Sequence, residues 1–207
     1  MVRQEKNQQS KEAILHAAIA EFGKHGYDGA SLNAAFTQAG ISKGRVYHYY
    51  DNNDQIYLDC VEVCLNALMR KLQARPDTPT GAPMNFQEYF LLRWEFFEES
   101  PALAQIFLES VQRPPEHLKE EIKAKRVRFE QFNLAVFRSN LAGMRLRNGV
   151  SEEEAIAYFQ AFQEIFHRQL LQTDGNPGAL RVKSHEQELQ KMLDILFYGI
   201  VKEGAVC

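Results

Sequence analysis

Ser42, Lys43, Gly44, Arg45, Tyr47 and His48 stand within seven consecutive residues, and the chemistry they can do is recognition of a polyanion. Ser42 can cap a helix that starts at Lys43, leaving main-chain N–H groups at its first turn to meet a phosphate. Lys43 adds a point charge beside them, and Gly44 permits close backbone approach. Arg45 carries the fork that contacts guanine O6 and N7 together, so it is the best base reader. His48 is a further reader or backbone contact, and Ser31, upstream, can donate to a phosphate. From Gly29 to Tyr50 no acidic residue occurs, so the stretch meets a polyanion without like-charge repulsion.

These side chains need two short helices to position them. Ser31 opens the first, Gly40 breaks it, and Ser42 caps the second. Two helices joined by a glycine-containing turn are how a helix-turn-helix lays its second helix in a DNA major groove. Tyr49 and Tyr50 could stack on single-stranded bases. At the end of a short helix next to an apolar one, they read instead as core.

Around this pair the whole chain reads as all-α. Helices are expected over about residues 11–24, capped by Ser10 and closed by Gly23, Gly26 and Gly29, and from Asn52-Asn53-Asp54 to about Arg75, before Pro76. PDTPTGAP at 76–83 is a loop. Further helices follow over about 85–99, 101–111, Pro115 to Leu146, 151–172 from the capping box Ser151–Glu154, and 184–203. The expected domains are 1–52, a DNA reader, and 53–207, a larger helical body joined to it through the helix 53–75.

Composition narrows the function. The 207 residues are 45% apolar with 14 phenylalanines, enough for a substantial core. Formal net charge is −3, and residues 1–60 hold six Lys/Arg against seven Asp/Glu, so a general nucleic-acid coat is excluded while a few placed contacts are not. No run of ~20 apolar residues suggests a membrane span, the start MVRQEKNQQSKEA does not read as a signal peptide, and three cysteines suit a reducing cytoplasm. Cys60 and Cys64, four apart, could ligate a metal or form a redox pair, but without accompanying ligands they read as buried thiols. No phosphate loop, nucleophile elbow or paired-histidine motif is present, so neither an enzyme, nor a metal site, nor a cofactor is expected.

Residues 10–58 resemble the DNA-binding domain of the tetracycline-repressor (TetR) family of bacterial regulators. The matching pieces are Lys11-Glu12-Ala13-Ile14-Leu15, Ala17-Ala18, Phe22, Gly26-Tyr27, Ser31-Leu32 and the run AGISKGRVYHYY. Departures are Ala35-Phe36 for the usual Ile-Ala, Tyr49-Tyr50 for Tyr-Phe, Asn53 for a lysine, and Arg45 for a common threonine. The resemblance implies that Tyr47 contacts a phosphate, that the chain represses transcription from a double-stranded operator with inverted repeats, and that it does so as a homodimer.

It also implies a small-molecule effector in the larger domain. The stretch 85–137 is rich in aromatics, most of them core by default. A cavity among Phe90, Arg93, Trp94, Phe97, Gln105, Phe107, His117 and Phe129 would take an apolar or aromatic ligand oriented by Arg93, Gln105 or His117. The last two helices carry wide apolar faces, with Phe159, Phe162, Phe166 and Leu170 on one and Leu189, Met192, Leu196 and Phe197 on the other. They are expected to form a four-helix dimer interface. The second reading is a helical ligand-binding or interaction protein whose DNA-binding domain has decayed.

Overall fold

A computed structural model of the chain describes residues 2–74, 84–142, 144–169 and 179–200. Its described elements are nine α-helices and one 3-10 turn, with no strand. They are α1 (Val2–Gly29), α2 (Leu32–Gln38), α3 (Lys43–Tyr47), α4 (Asn53–Gln73), α5 (Phe86–Glu99), α6 (Pro101–Gln112), the 3-10 turn Glu116–Leu118, α7 (Lys119–Leu141), α8 (Glu152–Gln169) and α9 (Ala179–Ile200).

Most boundaries follow local chemistry. Asn52 Oδ1 accepts the Gln55 N–H at 2.9 Å while Gln55 Oε1 accepts the Asp51 N–H at 3.0 Å, which caps α4. Ser151 and Glu154 form a reciprocal capping box at α8, with bonds of 2.9 and 3.1 Å. Pro101 sits in the first turn of α6.

Several expected boundaries move, and the last helix starts at Ala179 and not near 184. Ser10 does not cap α1, because the preceding polar residues are good helix formers and the helix starts at Val2. Leaving helical geometry only at Gly26 (φ 69°, ψ 179°), α1 goes on to Gly29. The long helix expected from Pro115 is preceded by a separate 3-10 turn and ends at Leu141, before the weak helix former Gly143, not at Leu146.

By packing, the helices sort into two units. Residues 1–67 and 100–126 form the first, and 68–99 and 127–207 the second. In the first, Ile14, Ala18 and Phe22 of α1 are buried, as are Ile56, Tyr57, Cys60, Val61 and Cys64 of α4 and Ile106, Phe107 and Leu108 of α6. The contact of α1 with α6 is close: a Cβ on Gly23 would lie 2.5 Å from Ala102 Cα. Cys60 and Cys64 are wholly buried and form no disulfide, and burial, with Asp59 and Cys64 adding to it, pushes the Cys60 thiol far up. In the second unit Phe137 stacks on Phe159, centroids 4.0 Å apart, and α5 packs on α9.

Candidate nucleic-acid interface

The helix-turn-helix is fully formed. Leu32 and Phe36 of α2, Ile41 of the turn and Val46 of α3 point inward, which leaves the other face of each helix to solvent. Phe36, the large residue where the family's pattern has a small one, is only 5% exposed. Gly40 turns the chain with φ 68°, a left-handed conformation that side-chain-bearing residues rarely adopt. Ser42 caps α3, its hydroxyl oxygen accepting the Arg45 N–H at 3.4 Å.

On the outer face Ser42, Lys43, Gly44, Arg45, Tyr47 and His48 are all exposed. Tyr47, a large aromatic, is 57% exposed, and the Lys43 ammonium lies 5.6 Å from its ring centroid. A Cβ on Gly44 would meet nothing within 4 Å, and its φ is not in the left-handed region. The protein's own packing therefore does not demand glycine there, and the bare backbone faces outward. Ser31 is exposed, and its hydroxyl makes no capping bond to α2.

Tyr49 and Tyr50 leave α3 towards the protein. Tyr49 donates its hydroxyl to Asn7 Oδ1 (3.1 Å), and buried Tyr50 donates to Asp59 Oδ2 (3.0 Å). Lys11 binds that same Asp59 oxygen at 2.8 Å. Burial, then the Asp59 carboxylate, drives the Tyr50 phenol well above its ordinary pKa. Asp59 thus holds the exit of α3 against α1 and α4.

Asn33, Thr37, Asn52 and Asn53 also face this surface, and of these the sequence marked only Asn52 and Asn53, at the opening of a helix. With Lys43 and Tyr47 they rim a cavity of about 270 Å³ whose floor is Phe36, Ile41, Val46, Tyr50 and Ile56. The signal for Asn33 and Thr37 was their four-residue spacing on the polar side of α2.

Two matches with known proteins follow this geometry. Residues 14–60 match the bacterial regulatory proteins of the tetR family, and residues 84–201 match the tetracyclin repressor-like C-terminal domain. The chain belongs to the TetR family. Among curated TetR-type relatives, the biofilm operon icaADBC negative transcriptional regulator IcaR of Staphylococcus epidermidis is 30% identical over 113 residues, 55% of this chain and 59% of that protein. The transcriptional regulator RutR of Escherichia coli is 29% identical over 99 residues, 47% of this chain and 45% of RutR. The chain thus spans about half the length of the curated relatives it matches. SmeT, the repressor of the Stenotrophomonas maltophilia multidrug efflux pump SmeDEF, shares the TetR fold with a TM-score of 0.58 at 20% identity over 95% of this chain and 93% of that one. A TetR family regulator from Chloroflexus aurantiacus gives a TM-score of 0.56 at 17% identity over 95% of both chains.

Away from the helix-turn-helix of this TetR chain, the expected effector residues divide between the units. Phe90, Arg93, Trp94, Phe97 and Phe129 belong to the second, while Gln105, Phe107 and His117 belong to the first. Phe107 is buried core, and His117 Nε2 lies 3.2 Å from the Tyr27 hydroxyl and 3.3 Å from Asp54 Oδ2. Arg93 is only 2% exposed, and its Nε and one terminal nitrogen grip Glu186 at 2.8 and 2.6 Å. The third guanidinium nitrogen donates to the Tyr89 hydroxyl (3.2 Å), which donates to Asn133 Oδ1 (2.8 Å). His185 Nδ1 stands 3.0 Å from Glu186 Oε1, and the rings of Tyr89, Phe97 and Phe129 lie 5.4–5.8 Å from the guanidinium carbon. Burial works to raise the Glu186 carboxyl, yet Arg93, followed by His185, outweighs it and holds the group at about 2. Glu186 and Asn133 had no sequence signal, since 93 residues separate Arg93 from Glu186 and 44 separate Tyr89 from Asn133, whereas Tyr89 lies four residues before Arg93 on the same helix.

The apolar faces of α8 and α9 also sort themselves. Phe159 and Leu189 are buried within the chain, and Phe162, Met192 and Leu196 are half-buried. Among the described residues the exposed large apolar side chains there are Tyr158, Ile165 and Ile195. Leu170 lies outside the described residues, as do the side chains of Phe166 and Phe197. Among the described residues no His/Cys/Asp/Glu group could hold a metal ion, and no helix is long and apolar enough to cross a membrane.

Proposed function

We propose that this protein is a sequence-specific DNA-binding transcriptional regulator, a repressor, that reads an inverted-repeat operator as a homodimer and responds to a small-molecule effector. One observation carries the reading: a capped helix whose Lys43, Gly44, Arg45, Tyr47 and His48 are all exposed, on a surface with no carboxylate between Gly29 and Tyr50. Residues 1–52 are the reader in this proposal and residues 53–207 the regulatory body. Arg45 reads bases, Ser31, Ser42, Lys43 and Tyr47 hold phosphates, and His48 supports either task. The relatives support repression, since IcaR is named a negative regulator and SmeT a repressor.

Tyr158, Ile165 and Ile195 offer a second copy an apolar face on α8 and α9. An effector of apolar, aromatic character is assigned to the second unit, near Phe90, Arg93, Trp94, Phe97 and Phe129. The connector α4 holds residues of both units, as does α7, so the effector's unit and the reader are covalently continuous through helix. An effector acts through them only if it favours one arrangement of the reader over another.

The test is selection of bound duplexes from a random pool by the full-length chain, followed by titration of the winner at two salt concentrations. Enrichment of an inverted repeat, bound more weakly at higher salt, is expected. Absence of enrichment overturns the reading.

A further inference from the structure

Gly26 interrupts α1 three residues before its end, and the interruption leaves the N–H of Tyr27 at the head of a new turn. That N–H points at Glu109 of α6, 82 residues away, and donates to both of its carboxylate oxygens at 2.9 and 3.1 Å. Glu109 Oε2 also accepts the hydroxyl of Tyr57 in α4 at 3.0 Å. A Cβ on Gly26 would lie 3.0 Å from Glu109 Oε1, so glycine there supplies both the left-handed φ and the room for the carboxylate.

The other end of Tyr27 is held as well. Its hydroxyl donates to Asp54 in the first turn of α4 and lies 3.2 Å from His117 Nε2. Its ring faces Phe22 (6.2 Å) and meets Tyr57 edge-on (4.9 Å). Two residues further on, α1 ends, and Ser31 N–H is taken by Glu21 Oε1 at 2.7 Å just before α2 begins. Two carboxylates thus hold the passage from α1 to α2, Glu109 of another helix at Tyr27 and Glu21 of α1 itself at Ser31.

We propose that Glu109 is a positioning residue for DNA reading: by gripping the Tyr27 N–H it fixes the kinked exit of α1, and through it the placement of α2 and α3. The proposal rests on the DNA-binding reading above. A charged acceptor takes two neutral donors here, the Tyr27 N–H and the Tyr57 hydroxyl, and such bonds are stronger than neutral pairs. Glu109 is not among the residues proposed to hold phosphates, so its loss removes none of those contacts. The effect to look for is on selectivity, with nonspecific, salt-driven affinity left alone.

Full-length Glu109→Ala and Glu109→Gln variants are compared with the native chain, well below their unfolding temperatures, on the duplex the native chain selects and on a scrambled duplex of equal length. Glu109→Ala is expected to weaken binding to the selected duplex roughly tenfold, with binding to the scrambled duplex and its salt dependence unchanged. Glu109→Gln keeps one acceptor oxygen and recovers most of the loss. Hydrogen exchange at the Tyr27 amide is expected to rise at least about tenfold in Glu109→Ala. Equal losses on both duplexes, or native selectivity in both variants, overturns the proposal. If Glu109→Ala does not fold, Glu109→Gln decides alone: a loss of about threefold confined to the selected duplex supports it, and no loss overturns it. Failure of the native chain to select any duplex fails the DNA-binding reading instead, so the two failures are told apart.

Discussion

Both units place carboxylates among packed helices, and they partner them differently. In the first unit Glu109, Asp54 and Asp59 lie at partly exposed positions and receive tyrosine hydroxyls, a main-chain N–H and the lysines Lys11 and Lys125. In the second unit Glu186 is wholly buried and faces a guanidinium across two short bonds. A hydrogen bond between neutral and charged groups near solvent contributes about 1.5–3 kcal/mol, and water can replace either partner. A buried ion pair cannot be opened one partner at a time without leaving an uncompensated charge, which costs about 3–5 kcal/mol. The first arrangement joins helices by bonds in which water can stand in for a lost partner, and the second joins α5 and α9 by a pair in which it cannot.

The sharpest way to break this contrast is Glu186→Ala. It leaves Arg93 charged in a closed, aromatic surround, and a loss of about 3–5 kcal/mol in urea unfolding is expected. Acid sharpens the same point. The folded-state pKa of Glu186, about 2, lies below its ordinary 4.5, so the pair's stabilisation is complete above about pH 4.5 and is lost as pH falls through about 2. Urea midpoints measured from about pH 6 downward are expected to show this acid-dependent loss in the native chain and not in Glu186→Gln. A native chain with the same acid response as Glu186→Gln would contradict it.

In and behind the helix-turn-helix the expected effects are smaller, and for the residues of its proposed reading face they show in recognition. Arg45→Ala is expected to lose about 1–3 kcal/mol of discrimination at one base position of the selected duplex, read from competition with single-substituted duplexes. Asp59→Ala frees both Tyr50 and Lys11, and a fall of about 1–3 kcal/mol in stability is expected by thermal or urea unfolding. Lys43→Ala has the mildest consequence: every duplex binds more weakly alike, and the slope of log affinity against log salt shrinks by about 1. Identical changes of base preference in Arg45→Ala and Lys43→Ala would erase the division between reader and phosphate contact.

Legibility in the sequence tracked distance along the chain. The Ser42 cap, the Gly40 turn and the Ser151–Glu154 box all depend on residues within a turn or two of one another, so type and spacing were enough. Periodicity identified apolar faces on α8 and α9 but could not say which residue of a face meets its own chain. Phe159 turned inward while its neighbour Tyr158 stayed 55% exposed.

The sequence by itself determined an all-helical chain with a capped reading helix and the family to which it belongs, because helix periodicity, caps and a dense local motif are short-range properties. Only the tertiary structure decided that α6 packs with the N-terminal helices, that Glu109 meets Tyr27, and that Arg93 meets Glu186 and not open space. Those pairings join residues 82 and 93 positions apart. No local preference encodes them, since a lone Glu or Arg on a helix reads as solvated until the packing of other helices closes over it.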